Sequence, residues 1–101
     1  LKAYRMGAAS NEVLGQVIFA GGSDNAYNYN GIGYDGVPSR PLAQVFAYDM
    51  KTAKWVAYKD KDLATMDHRG LLQYDDRYWT VGGMIEGQLV SDRVTGFKLK
   101  F

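Results

Sequence analysis

With 101 residues, the chain is long enough for one small domain, and a hydrophobic content of 47% allows that domain a packed core. Twelve basic side chains nearly balance 11 acidic ones, so we expect neither nucleic acid nor a membrane surface as a partner. No run approaches the roughly 20 apolar residues of a membrane helix, and the absence of cysteine excludes disulfides and thiol chemistry.

Short β-rich runs separated by turn residues follow one another along the chain, and helical periodicity is nearly absent. The fold class is therefore predicted to be all-β. The predicted strands are residues 6–13, 16–20, 44–48, 54–58, 70–74, 78–81 and 93–101. Several runs are apolar at successive positions instead of alternating, which predicts strands buried on both faces, as between stacked sheets. Between the third and fourth strands, residues 50–53 are predicted to form a hairpin turn, which the Asp49 side chain can hold by accepting backbone N–H bonds.

Three sequence blocks recur in the same order. Residues 5–9 match 69–73, residues 16–22 match 77–83, and residues 45–48 match 94–97. Each copy carries an apolar strand that ends in two glycines, Gly21-Gly22 and Gly82-Gly83. Such a pair permits positive φ and close backbone approach. Because the three blocks recur in the same order, the chain is predicted to hold two similar sheets related by a rotation.

The repeat resembles the Kelch repeat of β-propellers. An arginine precedes the first strand, a glycine pair ends the second, and Tyr48 and Trp55 are separated by six residues, with Asp49 directly after the tyrosine. In the second copy Phe97 takes the place of the tyrosine, and the chain ends before a tryptophan. In the family, Tyr48 and Trp55 would be large wedges between neighbouring sheets.

The resemblance implies two consecutive four-stranded antiparallel blades within one domain, residues 1–101. Blade one would cover about residues 4–60 and blade two about 66–101, the second lacking its outermost strand. Because the chain begins without methionine and ends after a third strand, we expect it to be the C-terminal part of a larger propeller. Blades bury their apolar faces on neighbours, so Val17, Phe19, Trp79 and Val81 should be exposed unless something covers them. The partners expected there are the remaining blades of the same propeller or other copies of the chain.

Residues 23–41, called the insert below, make the connection from second to third strand about 12 residues longer in the first copy than in the second. The insert holds three tyrosines, three asparagines and three glycines, a composition typical of recognition loops. Its candidate ligand-binding residues are Tyr27, Tyr29, Tyr34 and Arg40. The alternative is a loop that folds over its own blade and packs its tyrosines there.

The resemblance implies that Arg5 and Arg69 lie near the mouth of a central channel, at the same end as the insert. Each could present its guanidinium to a ligand carboxylate. Alternatively, each donates to loop carbonyls and ties neighbouring blades together. His68, the single histidine, is a further candidate beside Arg69, although a lone histidine is more often structural.

Motifs of enzymes and metal sites are lacking. The chain has no HExxH, phosphate-binding loop or Gly-x-Ser-x-Gly motif, and no cofactor is expected. An EF-hand is excluded because Ala26 and Val37 occupy its first and twelfth ligand positions, although Asp24 and Asp35 could still meet at an irregular cation site.

Two functions remain open at this point. One is a non-catalytic binding module that recognises a peptide, a protein, a carbohydrate or another small polar ligand through its loops. The other is part of a propeller enzyme that acts on a sugar or sugar acid, as the Kelch-type sialic-acid mutarotases do. A galactose-oxidase-like copper site is excluded because the chain has no cysteine and one histidine.

Overall fold

The computed structural model describes residues 3–60, 63–67 and 70–99. Its sheets are antiparallel throughout, and the described residues form no α-helix, which confirms the all-β fold class. The strands in these residues are β1 (Gly7–Asn11), β2 (Gln16–Ala20), β3 (Gln44–Asp49), β4 (Lys54–Lys59), β5 (Leu72–Tyr74), β6 (Arg77–Val81), β7 (Met84–Ile85), β8 (Leu89–Val90) and β9 (Val94–Phe97). All seven predicted strands are present, several with shorter ends, whereas β7 and β8 were not predicted.

Two sheets follow the order of the sequence repeat. The first sheet has the order β1-β2-β3-β4, so each strand pairs with the next one along the chain. The second sheet has the order β5-β6-β9, and the small β7–β8 hairpin lies in the connection between β6 and β9. Within the part of the chain that the structure describes, no helix is long and apolar enough to cross a membrane.

The turn between β3 and β4 forms as predicted. The Asp49 carboxylate accepts hydrogen bonds from the backbone N–H groups of Lys51 at 2.8 Å and Thr52 at 3.0 Å. These bonds to the charged form, that from Thr52 first, lower the pKa of the exposed carboxyl below its usual 3.8. Ala53 completes the turn at a φ of 55°, in the left-handed region.

Both glycine pairs have the backbone conformation that the sequence suggests. Gly21, Gly22, Gly82 and Gly83 all have φ between 68° and 91°. At Gly22 the backbone of the segment before β1 also comes close, since a Cβ there would lie 2.7 Å from the Tyr4 carbonyl oxygen. The pair thus serves both for positive φ and for close packing of backbone on backbone.

One core joins the two sheets. Ile18, Ala20, Val45 and Ala47, on one face of the first sheet, are fully buried and cluster with Leu63, Leu71, Tyr78 and Phe97. The rings of Tyr78 and Phe97 stack with their centroids 5.7 Å apart. A hydrogen bond of 2.7 Å from Asn11 Nδ2 to the Tyr78 hydroxyl also links β1 to β6. The sheets therefore pack face to face.

The prediction that strands are buried on both faces is wrong for the outer side of each sheet. On the first sheet β4 is exposed along most of its length, and Trp55 is 48% exposed. On the second sheet Val81 is exposed, as expected, whereas Trp79 is half-buried, as are Val17 and Phe19 of the first sheet. Phe19 is covered in part by Trp55, whose ring centroid lies 5.8 Å away. The strands are apolar on both faces, but each sheet has only one neighbour among the described residues.

Candidate functional site

The insert is an ordered loop with pairing of its own. Its backbone forms isolated antiparallel bridges between Tyr27 and Gly33 and between Ile32 and Pro38. At its end the Ser39 hydroxyl donates a 2.8 Å hydrogen bond to the Asn25 carbonyl, which closes the loop at its base. Side chains on the insert are consequently carried by a defined backbone.

Two short turns inside the insert are held by polar side chains. Asn30 Oδ1 accepts from the Ile32 backbone N–H at 3.1 Å, and Asp35 Oδ1 accepts from that of Val37 at 2.9 Å. The bond from Val37, followed by the one from the Asn25 amide, lowers the pKa of Asp35. No group of three or more acidic or histidine side chains suited to a metal ion occurs among the residues described. The Asp35 carboxylate is therefore hydrogen-bonded within its own loop, where it stabilises a turn.

The β7–β8 hairpin supports the insert from the side of the second sheet. Gln88 Nε2 donates to the Ser39 carbonyl at 2.8 Å and approaches the Gly31 carbonyl at 3.4 Å. Beneath them Tyr27, Met66 and Met84 form a small buried cluster of their own. The insert of the first repeat is therefore fixed by residues of the second repeat. We call the end of the molecule formed by the insert, the hairpin and residues 63–67 the loop end.

Arg5 and Tyr27, both predicted site residues, meet at the loop end. The Arg5 guanidinium donates to Asp67 Oδ1 at 3.1 Å and to the Tyr27 carbonyl at 3.2 Å, and it lies 4.9 Å from the centroid of the Tyr27 ring. The Tyr27 hydroxyl approaches the same Asp67 oxygen at 3.5 Å. Burial, and after it the Asp67 charge, raise the pKa of Tyr27 to about 12, so this hydroxyl keeps its proton. In this arrangement the arginine ties the insert to residues 63–67.

The other predicted ligand-binding residues are exposed or lie outside the described residues. Tyr29 and Tyr34 are 86% and 72% exposed on the insert, so their rings are available to a ligand. His68 and Arg69 lie outside the described residues, and their predicted roles stay predictions. Arg40 is exposed at the end of the insert, beside the β7–β8 hairpin.

Two adjoining clefts flank Arg40, and both are lined by Arg40 and Glu86. One has a volume of about 330 Å³ and is completed by Pro41, Ala64, Ile85 and Arg93. The other has a volume of about 340 Å³ and is completed by Val37, Pro38, Ser39, Gly87 and Gln88. Arg40 Nε lies 3.8 Å from Glu86 Oε1, and both side chains are largely exposed, so this ion pair is weak and can open.

Sequence reasoning did not single out Glu86, Gln88 and Arg93. Glu86 and Gln88 lie in the turn of the β7–β8 hairpin, whose two-residue strands are too short for a periodic signal, and Arg93 lies between β8 and β9. The one available signal was Gly87 between two pairs of apolar residues, a pattern typical of a tight turn.

The first cleft combines two guanidinium groups with an apolar wall. Arginine recognises carboxylates through paired hydrogen bonds, and the aliphatic side chain of Ile85 can contact an apolar part of the same ligand. No protein-family model matches the chain, and no curated protein matches it significantly.

Proposed function

We propose that the chain forms two consecutive blades of a Kelch-type β-propeller and acts as a binding module. Support for the blades comes from the repeated glycine pairs, from the sequential strand order of the first sheet and from the pairing of Tyr48 with Trp55. Those two residues stand opposite each other on β3 and β4, with ring centroids 5.0 Å apart. An Asp49-held turn joins their strands.

The bound ligand carries a carboxylate and belongs to a peptide or another small polar molecule. The observation that carries this proposal is the pair of clefts around Arg40, one of which also presents Arg93. The weak Glu86 pair leaves Arg40 able to exchange a protein carboxylate for that of a ligand.

Two tyrosines of the insert offer further contacts to a ligand. Tyr29 and Tyr34 are exposed on a loop whose backbone is fixed by the β7–β8 hairpin. A tyrosine offers a large contact area and one hydroxyl at low cost in conformational entropy. Because the loop is already ordered, little further ordering is required when a peptide binds.

Peptide titration tests this proposal. The probe is a library of short peptides with a free C-terminal carboxylate, and the same library with amidated ends is the comparison. The experiment is followed by NMR chemical shifts of the protein amides. We expect shifts at residues 37–41 and 85–88 with the free acids, and weaker ones with the amides. Glucuronic acid is titrated in parallel, because a sugar acid would use the same arginines.

Replacing the arginines tests the site itself. Arg40→Ala or Arg93→Ala removes a charged hydrogen bond worth about 1.5–3 kcal/mol, so affinity should fall roughly ten- to hundredfold. Arg77→Ala is the matched control, because Arg77 is exposed at the opposite end of β6. Equal binding by the wild type and by both cleft variants would contradict the proposed site.

A further inference from the structure

The repeat assigns equivalent faces to the two sheets. The front face of the first sheet consists of Ile18, Ala20, Val45 and Ala47, which correspond in the repeat to Trp79, Val81, Val94 and Gly96 of the second sheet. The back face of the first sheet consists of Val17, Phe19, Phe46 and Tyr48, which correspond to Tyr78, Thr80, Thr95 and Phe97. The strand pairings keep each set on one side, since Ile18 stands opposite Ala47 just as Trp79 stands opposite Gly96.

Inside the molecule, the front face of the first sheet packs on the back face of the second sheet. The front of the first sheet is fully buried and shares its core with Tyr78 and Phe97, which belong to the back of the second sheet. Thr80, on the same back, is buried as well. The interior thus shows that the front face of one sheet packs on the back face of the other.

The front of the second sheet has no such neighbour among the described residues. Val81 and Val94 are 56% and 60% exposed, and together with Leu72, Tyr74 and Trp79 they line a shallow apolar recess of about 320 Å³. The Trp79 ring lies flat over Gly96, where a Cβ would be 2.6 Å from the ring. An apolar surface of this kind is typical of an interaction site.

The back of the first sheet is the matching free surface. Its rings form a continuous aromatic layer, in which Phe19 and Tyr48 lie 5.8 Å and 5.0 Å from Trp55 of the neighbouring strand. Trp55 remains half exposed at the edge of this layer. Within the described residues, one chain therefore carries one unpaired front and one unpaired back.

We propose that the front of the second sheet binds the back of the first sheet of another copy of this chain. The contact is heterologous, head to tail, and repeats the packing that already joins the two sheets within one molecule. It leaves a free front and a free back at the ends of a dimer, so further copies add until the assembly closes or becomes a filament. This interface lies on the sheet faces and is independent of ligand binding at the loop end.

Sedimentation velocity of the wild type and two blocked variants tests the proposal. Val94→Lys places a charge on the free front, and Trp55→Lys places one on the free back. We expect the wild type to sediment as assemblies larger than a monomer and each variant alone as a monomer. An equimolar mixture of the two should form a one-to-one heterodimer and nothing larger, because each supplies the surface that the other lacks.

The control is Val13→Lys, since Val13 is 92% exposed in the β1–β2 turn and belongs to neither face. It should assemble like the wild type. Near-UV circular dichroism checks that each variant is folded, and Val94→Thr and Trp55→Thr replace any lysine variant that is not. A wild type that stays monomeric up to its solubility limit, or a mixture that stays monomeric, would overturn the proposal.

Discussion

Asp49 illustrates how a single side chain fixes a turn. Its carboxylate accepts two backbone hydrogen bonds beyond the end of β3, from Lys51 and Thr52, and so begins the turn into β4. The sequence was sufficient to predict this, because an aspartate that bonds the backbone two residues on is a local interaction. Tyr48 and Trp55 then stand opposite each other at the correct register.

The lowered pKa of Asp49 makes the turn sensitive to pH. A carboxyl whose pKa is lower in the folded than in the unfolded chain stabilises the fold above the unfolded pKa, and it loses this contribution as pH falls through the folded value. We therefore expect Asp49→Ala to lower the melting temperature at pH 7. The difference from the wild type should shrink as pH is lowered below about 3.8. Thermal melts of both proteins across this range measure the effect, with Asp24→Ala as the control, and a difference independent of pH would contradict it.

The three tyrosines of the insert show what local sequence cannot reveal. They occur within eight residues in similar polar surroundings, yet Tyr27 is buried against Met66 and Met84 while Tyr29 and Tyr34 are exposed. The difference arises from contacts with residues far along the chain. One tyrosine thus packs inward, against the second repeat and not over its own blade, and the ligand-binding role of the two exposed tyrosines stays a prediction.

Among the elements, the insert and the β7–β8 hairpin depend on each other. The insert was predicted from its length and composition, but its support was not, because the hairpin strands are two residues each. Gln88 makes the connection from the hairpin turn, where its φ is 59°. The longer strands were located well, since runs of about four successive apolar residues bounded by turn residues carry a clear signal.

Gln88→Ala should loosen the insert without unfolding the sheets. It removes the bond to the Ser39 carbonyl, a loss of about 0.5–1.5 kcal/mol. Amide exchange should therefore accelerate at residues 31–39 and stay unchanged in β2 and β3. Hydrogen exchange with NMR detection measures this, and Gln73→Ala, at an exposed glutamine of β5, is the control. Uniform acceleration across the chain, or none in the insert, would refute the anchoring role of Gln88.

At the scale of the whole molecule, the two sheets share one hydrophobic core. The cluster around Ile18 and Val45 continues directly into Tyr78 and Phe97. The sequence repeat predicted two similar sheets packed on each other, and the structure agrees. Which face of each sheet stays uncovered could not be read from the strands, because both faces are apolar and their burial depends on the number of neighbouring sheets.

A shared core implies that a small destabilising substitution in one sheet also lowers the stability of the other. Ile18→Val removes one buried methylene from the first sheet, a loss of about 0.5–1.5 kcal/mol. If both sheets open together, amides of β6 in the second sheet should exchange about two- to twelvefold faster, by the same factor as those of β2 and β3. Val13→Ala is the control, because that side chain is exposed and its loss should leave exchange unchanged. Acceleration confined to the first sheet would instead mean that the sheets unfold separately, in spite of the continuous packing from Ile18 to Phe97.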